Sequence, residues 1–366
     1  MTAESALSNP AAASPKPGLR PVPARDARRI ALDAMGGDHA PDVVTEAAAR
    51  LSRTTEIRLL LVGDEARLRA GLQRHGADLQ RIDLLHAPDA VPMDEAPRAA
   101  ARRSESSIAR AVRAVAEGSA EALVSAGNTG ATLLHSALVI PRLPGVRRAA
   151  LAAVYPTLPR PHNPDPFALM LDVGANTTCT PEDLLQFATM GTAYASRISK
   201  VPSPSVGLLN IGEEPNKGDA LLREAHVLLT SAPGIRFVGN VEGKDVPLGA
   251  VDVIVCPGVL GNVVLKLLES MGDVLLAVGE ATFRRRVRWR LGRALLGDGI
   301  TQVGRFFDAS SYGGAPILGF ERIVIKAHGR SNARAIENAV KVAAKAVRDD
   351  VCGAIAAGMR DRSGLP

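Results

Sequence analysis

From residue 29 onward, short β-like runs alternate with longer stretches of helical character, and this alternation constrains the fold more than any other feature. Arg29-Ile30-Ala31-Leu32-Asp33-Ala34 opens the series. Strand-like runs follow at residues 58–62, 81–85, 122–125, 149–155, 168–173, 206–209, 235–238, 251–255 and 322–325. Strands separated by helix-length segments specify a wound α/β sheet rather than stacked sheets or a helix bundle. Composition agrees, because 46% of residues are hydrophobic but only 3% are aromatic. Such a core is aliphatic and alanine-rich, as suits parallel strands covered by closely packed helices. At 366 residues the chain is long enough to bury a large core of this kind.

The formal charge of +6 permits an anionic partner, but lysine and arginine are spread along the chain and do not imply nucleic acid. Cys179, Cys256 and Cys352 are widely spaced and form no disulfide framework or thiolate metal motif, which points to a reducing compartment and a cytoplasmic protein. No stretch approaches the ~20 consecutive apolar residues that span a bilayer. Residues 1–28, rich in Ala, Pro and Ser, read as a disordered tail, and 353–366 as a C-terminal tail. Between them, 29–352 reads as a single domain. Residues 275–307 break the alternation with an amphipathic helical hairpin. There Phe283, Val287, Leu291 and Leu295 recur every four residues beside a dense arginine face.

Open α/β sheets bind ligands at the carboxyl ends of their strands, and most strand-like runs here end in Gly, Asn or Asp. The expected contributors are the loops at 35–41, 125–130, 172–176, 210–218, 239–245 and 257–262. Ser125-Ala126-Gly127-Asn128-Thr129-Gly130 follows a strand and opens a helix, whose free N–H groups suit a phosphate; an ordinary cap and turn is an equal reading. Gly36, Gly37 and Asp38 end the first strand without the spacing of a dinucleotide fingerprint or a P-loop, so a tight turn is the simpler reading. Lys217 in a strand-end loop can neutralise a phosphate or a developing oxyanion, or can simply pair with Glu213 or Glu214 in solvent. Asn262, between Gly261 and an apolar run, can donate its amide to a carbonyl becoming tetrahedral, or serve as a cap. No Gly-x-Ser-x-Gly, Cys–His couple or metal-ligand spacing is present, so a nucleophile would arrive with the substrate.

Taken in order, residues 33–38, 106–107, 125–131, 171–176, 207–218, 240–245, 261–266, 312–319 and 328–331 resemble the acyl-acyl-carrier-protein:phosphate acyltransferase family of bacterial phospholipid synthesis, over about 30–347. The resemblance implies a three-layer α/β/α Rossmann-like sandwich akin to isocitrate and isopropylmalate dehydrogenases. It also implies a homodimer, and a helical hairpin at 275–307 meeting anionic membrane or acidic carrier protein. The implied reaction has orthophosphate attack the thioester of acyl carrier protein, with no cofactor. It places Lys217 and Asn262 beside the reacting centre and Asn128, Thr129 and Gly130 on phosphate. Asp172, Asn176, Glu242 and His328 shape the pocket, with Gly36, Gly37 and Asp38 in the first loop.

Two positions depart from the family pattern. Thr178 stands where Gly-Ala-Asn-x-Asp has its carboxylate, and Pro257 begins Pro257-Gly258-Val259-Leu260-Gly261-Asn262 where Asp-Gly-Phe-x-Gly-Asn has another. Two alternatives therefore stay open: a coenzyme A-dependent short-chain phosphate acyltransferase, and a catalytically impaired relative serving as a membrane-surface scaffold or carrier-protein-binding protein.

Overall fold

The computed structural model describes residues 28–158, 167–300, 304 and 313–363. Most of the chain up to the expected tail is organised around one sheet that has eleven strands among the described residues. In chain order these are β1 (Arg29–Asp33), β2 (Arg58–Gly63), β3 (Ile82–His86), β4 (Ala122–Ser125), β5 (Ala150–Pro156), β6 (Phe167–Leu171), β7 (Ser205–Leu209), β8 (Arg236–Val241), β9 (Val253–Val255), β10 (Ala315–Leu318) and β11 (Ile323–Lys326). Their order across the sheet is β3-β2-β1-β4-β11-β10-β5-β6-β9-β7-β8.

Side chains alternate across this sheet as the two-residue strand period requires. Ile30, Leu32, Leu59 and Leu61 enter one aliphatic cluster, while Ala31, Leu60 and Val62 enter another. Each fully buried leucine contributes roughly 2 kcal/mol of hydrophobic stabilisation. The first cluster is closed by α1 (Asp42–Thr54), α6 (Pro181–Tyr194) and the late helix Ala333–Arg348. The second is closed by α4 (Ser107–Ala116), by Ala131 of α5 (Thr129–Val139), and by Leu260, Val264, Leu265 and Leu268 of α9 (Gly258–Arg284). Strands covered on both faces need no polar alternation, which is why β1, β4 and β11 are buried along their whole length.

Strand direction decides where the loops go. β3, β2, β1, β4 and β11 run parallel to one another. β10 is antiparallel to both β11 and β5, and β5 is antiparallel to β6. Beyond that reversal β6, β9, β7 and β8 are again mutually parallel. Loops after β1, β4 and β11 therefore open on one edge of the sheet, and loops after β6, β7, β8 and β9 on the other. A single strand-end site gathering all six loops, as expected from sequence, does not form within the sheet.

Other expectations are corrected as well. β10 lies within no sequence-expected strand. Residues from 353 onward are not a tail, since the helix Val351–Ser363 buries Ile355, Ala356 and Met359 and packs on α6. Residue 275 is no boundary either, because α9 runs unbroken from Gly258 to Arg284. The stripe from Phe283 to Leu295 crosses a break at Arg285–Arg286 and continues on α10 (Val287–Leu295), which packs back on α9. Residues 1–27, 301–303 and 305–307, parts of the expected tail and hairpin, lie outside the described residues. Among the described residues no helix is long and apolar enough to cross a membrane.

Candidate functional site

At the first edge, the carboxyl ends of β1, β4 and β11 bring together groups that sequence reading did not pair. Asp33 is buried and accepts hydrogen bonds from Ser107 Oγ at 2.6 Å and Ser125 Oγ at 2.7 Å. Lys326 closes the otherwise apolar β11, and its Nζ donates to the Ala327 carbonyl. Burial pushes Lys326 down to about 8, against the pull of Asp33 and Asp38. Burial also raises Asp33, which the two serine donors oppose. A lysine ending the buried run Ile323-Val324-Ile325 was the available sequence signal.

The Gly36–Gly37–Asp38 turn is tied to this edge by the Asp38 N–H, which donates to the Gly329 carbonyl at 2.9 Å. His328 Nδ1 accepts from the Arg330 N–H at 3.3 Å. Desolvation, then the nearby Lys326, Arg330 and Lys266 cations, hold that imidazole below its ordinary range. Asn128 is the N-cap of α5. Its Oδ1 accepts from Ala131 N at 3.0 Å, and its Nδ2 donates to the Pro92, Met93 and Glu95 carbonyls at 3.3, 3.0 and 2.8 Å. The capping reading of Asn128 is thus the one realised, and its amide has no donor left for a phosphate. What remains at that helix start are backbone N–H groups, those of Thr129 and Gly130 among them.

The second edge collects the residues on which transfer chemistry was expected. β6, β9 and β7 are adjacent, so the loops carrying Asp172, Asn262 and Lys217 follow three neighbouring strands, with Glu242 after β8 beside them. Asp172 is wholly buried. Its carboxylate accepts from Leu151 N at 2.9 Å, Gly174 N at 3.2 Å, Ala175 N at 3.0 Å, Asn176 N at 2.8 Å and Asn176 Nδ2 at 3.0 Å. Burial still raises its pKa in spite of these donors. Asn176 Nδ2 also donates to the Ala149 carbonyl at 2.9 Å. The Asp172 carboxylate and the Asn176 amide nitrogen are both spent on holding the loop.

That loop fixes the start of α9. A Cβ on Gly258 would stand 2.4 Å from Asp172 Oδ2, and one on Gly261 only 2.0 Å from the Asp172 carbonyl oxygen. The helix begins that close because those two residues are glycine. Asn262 then lies against Gly174, and its amide has no hydrogen-bond partner among the described residues. Pro257 is the N-cap of α9, and its carbonyl accepts from Gly261 N at 2.9 Å. Thr178 is exposed. Asp172 orders the 174–176 backbone through its own hydrogen bonds.

Lys217 is held at its backbone rather than at its head. Its N–H donates to the Glu214 carbonyl at 3.1 Å, and Asn210 Nδ2 donates to its carbonyl at 3.1 Å. The ammonium, 46% exposed, stands 3.8 Å from Glu214 Oε1, a loose surface pair of small energetic weight. Glu242 pairs instead with Lys244 at 2.6 Å. The segments that follow the adjacent strands β7 and β9 offer an exposed cation and an amide with no partner among the described residues, groups that can bind an anion and polarise a carbonyl. The two edges are linked by α9, which leaves the second edge at Asn262. Further along it, Lys266 acts electrostatically on His328, and Glu269 feels Arg330.

A family model described as fatty acid synthesis protein matches residues 28–354. A phosphate acyltransferase of Heliobacterium modesticaldum is 42% identical over 329 residues, covering 89% of this chain and 96% of that one. One from Thermus thermophilus is 45% identical over 312 residues, covering 85% and 92%. Among solved structures, a phosphotransacetylase from Streptococcus pyogenes aligns with a TM-score of 0.60 at 18% identity, covering 88% of this chain and 94% of that one. A branched-chain phosphotransacylase from Enterococcus faecalis aligns at 0.53 and 15% identity, covering 87% and 99%. These two likenesses speak for a shared fold. By the match of nearly its whole length and by its identity to these relatives, the chain belongs to the phosphate acyltransferase family.

Proposed function

We propose that this protein transfers a fatty acyl group from acyl carrier protein to inorganic phosphate, supplying acyl phosphate for phospholipid synthesis. A phosphate oxygen attacks the thioester carbonyl carbon, the carbon–sulfur bond breaks, and the carrier leaves as a thiol after taking up a proton. No group on the protein is acylated. Lys217 neutralises the incoming phosphate, and the Asn262 amide donates to the carbonyl oxygen as charge gathers there. Such preorganised donors are commonly worth a hundredfold or more in rate. The observation that carries this reading is that the segments after the adjacent strands β7 and β9 carry an exposed ammonium and an amide with no partner among the described residues. Asp172 and Asn176 act by holding the loop on which Asn262 rests. Thr129, Gly130, Gly36, Gly37, Asp38 and His328 belong to the far end of the same surface, reached along α9.

The carrier and the membrane are assigned to α9 and α10. Val259, Val263, Leu267 and Met271 are exposed at four-residue intervals on α9, and Val287, Leu291 and Leu295 continue the pattern on α10. Arg290 and Arg293 border an open hollow of about 360 Å³ there. An apolar stripe beside arginines suits acyl chains, anionic headgroups, an acidic carrier or the second copy of a homodimer. We read the helices on both sheet faces as the three-layer α/β/α sandwich, α9 and α10 as its hairpin, and the setting as cytoplasmic with peripheral membrane contact. A coenzyme A-dependent short-chain enzyme would have no use for this exposed surface. An impaired relative fits poorly with a loop that Asp172 orders unaided.

Acyl phosphate trapped as a hydroxamate tests the proposal. Long-chain acyl carrier protein with phosphate should give product, acetyl-coenzyme A far less, and Lys217→Ala little from either. Preference for acetyl-coenzyme A would establish the short-chain reading, and carrier binding without product the scaffold reading.

A further inference from the structure

Three buried or half-buried side chains around the 210–218 loop take no part in the proposed chemistry. Asn210, at the end of β7, is 6% exposed, and Asn240, in β8, is 7% exposed. The third is His226 on α7 (Ala220–Thr230). Polar side chains buried at this depth are retained with every group satisfied or at a cost of stability, so their partners disclose what they hold.

Asn240 Nδ2 donates to the Glu214 carbonyl at 2.8 Å, the same oxygen that accepts the Lys217 N–H at 3.1 Å. Its Oδ1 faces His226 Nδ1 at 2.9 Å. A carbonyl oxygen can only be met there by the amide N–H₂, so Oδ1 must face the imidazole, and His226 Nδ1 must carry the proton. The His226 ring is itself held edge-on against Phe237, with centroids 5.1 Å apart. From the other side, Asn210 Nδ2 donates to the Lys217 carbonyl at 3.1 Å while its Oδ1 accepts from Ile211 N at 2.8 Å. Gly218 completes the grip. It has φ +86°, and a Cβ there would stand 2.7 Å from Asn210 Oδ1. The turn from Glu214 to Lys217 is therefore clamped at both ends by amides at the ends of two adjacent strands, while the lysine side chain stays exposed.

We infer that Asn240 and Asn210 are positioning residues for Lys217, with His226 fixing the orientation of the Asn240 amide. They do not touch substrate. They set the backbone from which the ammonium reaches the reacting phosphate. The inference rests on the reading of Lys217 given above and extends it to the residues that make that lysine effective.

The experiment turns on Asn240→Asp, which keeps the shape and the acceptor toward His226 but sets a carboxylate oxygen against the Glu214 carbonyl. When protonated, the same carboxyl donates to that carbonyl and restores the bond. Hydroxamate-trapped turnover is measured for wild type, Asn240→Asp, Asn240→Ala and Lys217→Ala from about pH 6 to about pH 8.5, the range over which a buried carboxyl titrates. At the upper end Asn240→Asp should lose about ten- to a hundredfold in kcat, the scale set by small misplacements of a reacting group. KM for carrier should change less than about twofold, since the carrier does not rest on Lys217, whereas KM for phosphate should rise as the ammonium that neutralises phosphate is displaced. The deficit of Asn240→Asp should shrink toward low pH, and that of Asn240→Ala should not. Amide exchange should quicken in 211–218 of Asn240→Ala and stay unchanged in β7 and β8. Wild-type kcat in Asn240→Asp, a deficit confined to KM, a deficit indifferent to pH, or faster exchange throughout both strands would each overturn the inference. Undiminished kcat in Lys217→Ala would overturn the reading of Lys217 itself, a result separable from the exchange pattern of the Asn240 variants.

Discussion

Gly261→Ala ought to damage both stability and turnover, although alanine is the better helix former. In an exposed helix the change would gain about 1 kcal/mol. Here the new Cβ would stand 2.0 Å from the Asp172 carbonyl oxygen and 2.7 Å from Cys256 Sγ. Ordinary carbon–oxygen contact begins near ~3.3 Å, so the start of α9 must retreat by about 1 Å or distort. The neighbour is backbone, pinned through the Asp172 carboxylate, and cannot swing aside. Overpacking of this kind costs about 3 kcal/mol, leaving a net loss near 2 kcal/mol. For a chain of this size that is roughly 3 °C in Tm. Asn262 moves with the helix, and a displacement of about 1 Å at a reacting group lowers kcat about a hundredfold. Gly279→Ala, on the same helix with nothing within 4 Å of its would-be Cβ, is the control and should gain about 0.5–1 kcal/mol. Thermal unfolding and the hydroxamate assay read both effects. Gly261→Ala with wild-type Tm and kcat, or Gly279→Ala losing as much, would refute the close-approach argument.

Other outcomes follow from the same geometry. Asn262→Ala should keep the wild-type Tm to within a degree or two, because its amide has no partner among the described residues, while kcat falls about a hundredfold or more; an unchanged kcat would remove Asn262 from the reacting centre. Asp172→Ala strands the buried Leu151 N–H at about 1–3 kcal/mol and frees the part-buried N–H groups of Ala175 and Asn176, so it should destabilise the protein clearly, whereas Asn128→Ala should destabilise without raising KM for phosphate by more than the loss of the cap explains. Lys326 gives a pH signature. Its folded pKa is lowered to about 8 from 10.5, so between those values the unfolded chain holds more protons and stability should rise with pH. Denaturant unfolding of wild type against Lys326→Met would show that rise only in the wild type. Leu267→Glu with Met271→Glu should abolish association with anionic vesicles or with a second copy, read by vesicle sedimentation and by mass in solution.

Much of the fold is legible in sequence because buried parallel strands leave continuous aliphatic runs, and most of the expected runs are strands to within a few residues. β10 escapes because it is short, carries Pro316, and sits between glycines. Its antiparallel insertion, together with that of β5 against β6, is what turns the second half of the sheet over. A strand-end motif marks a loop, not the edge on which that loop opens, and so the phosphate-loop residues and the Lys217–Asn262 pair could not be told apart by spacing. Asn128 and Asp172 show a related limit: sequence identifies a polar residue at a helix or loop start, whereas only its partners reveal whether it is spent on the backbone. Lys326, Asn210 and Asn240 were readable only as polar residues at apolar strand ends, a signal that gains meaning once their partners are known.

The central claim is that phosphate itself is the nucleophile, and one measurement bears on it most directly. The protein is mixed with acyl carrier protein charged with a radiolabelled acyl chain, first without phosphate and then with it, then denatured and separated. The account predicts no label on the protein and no free carrier thiol without phosphate, and acyl phosphate with thiol in equal amounts once phosphate is added. Label bound covalently to the protein, or thiol released at the same rate without phosphate, would contradict it.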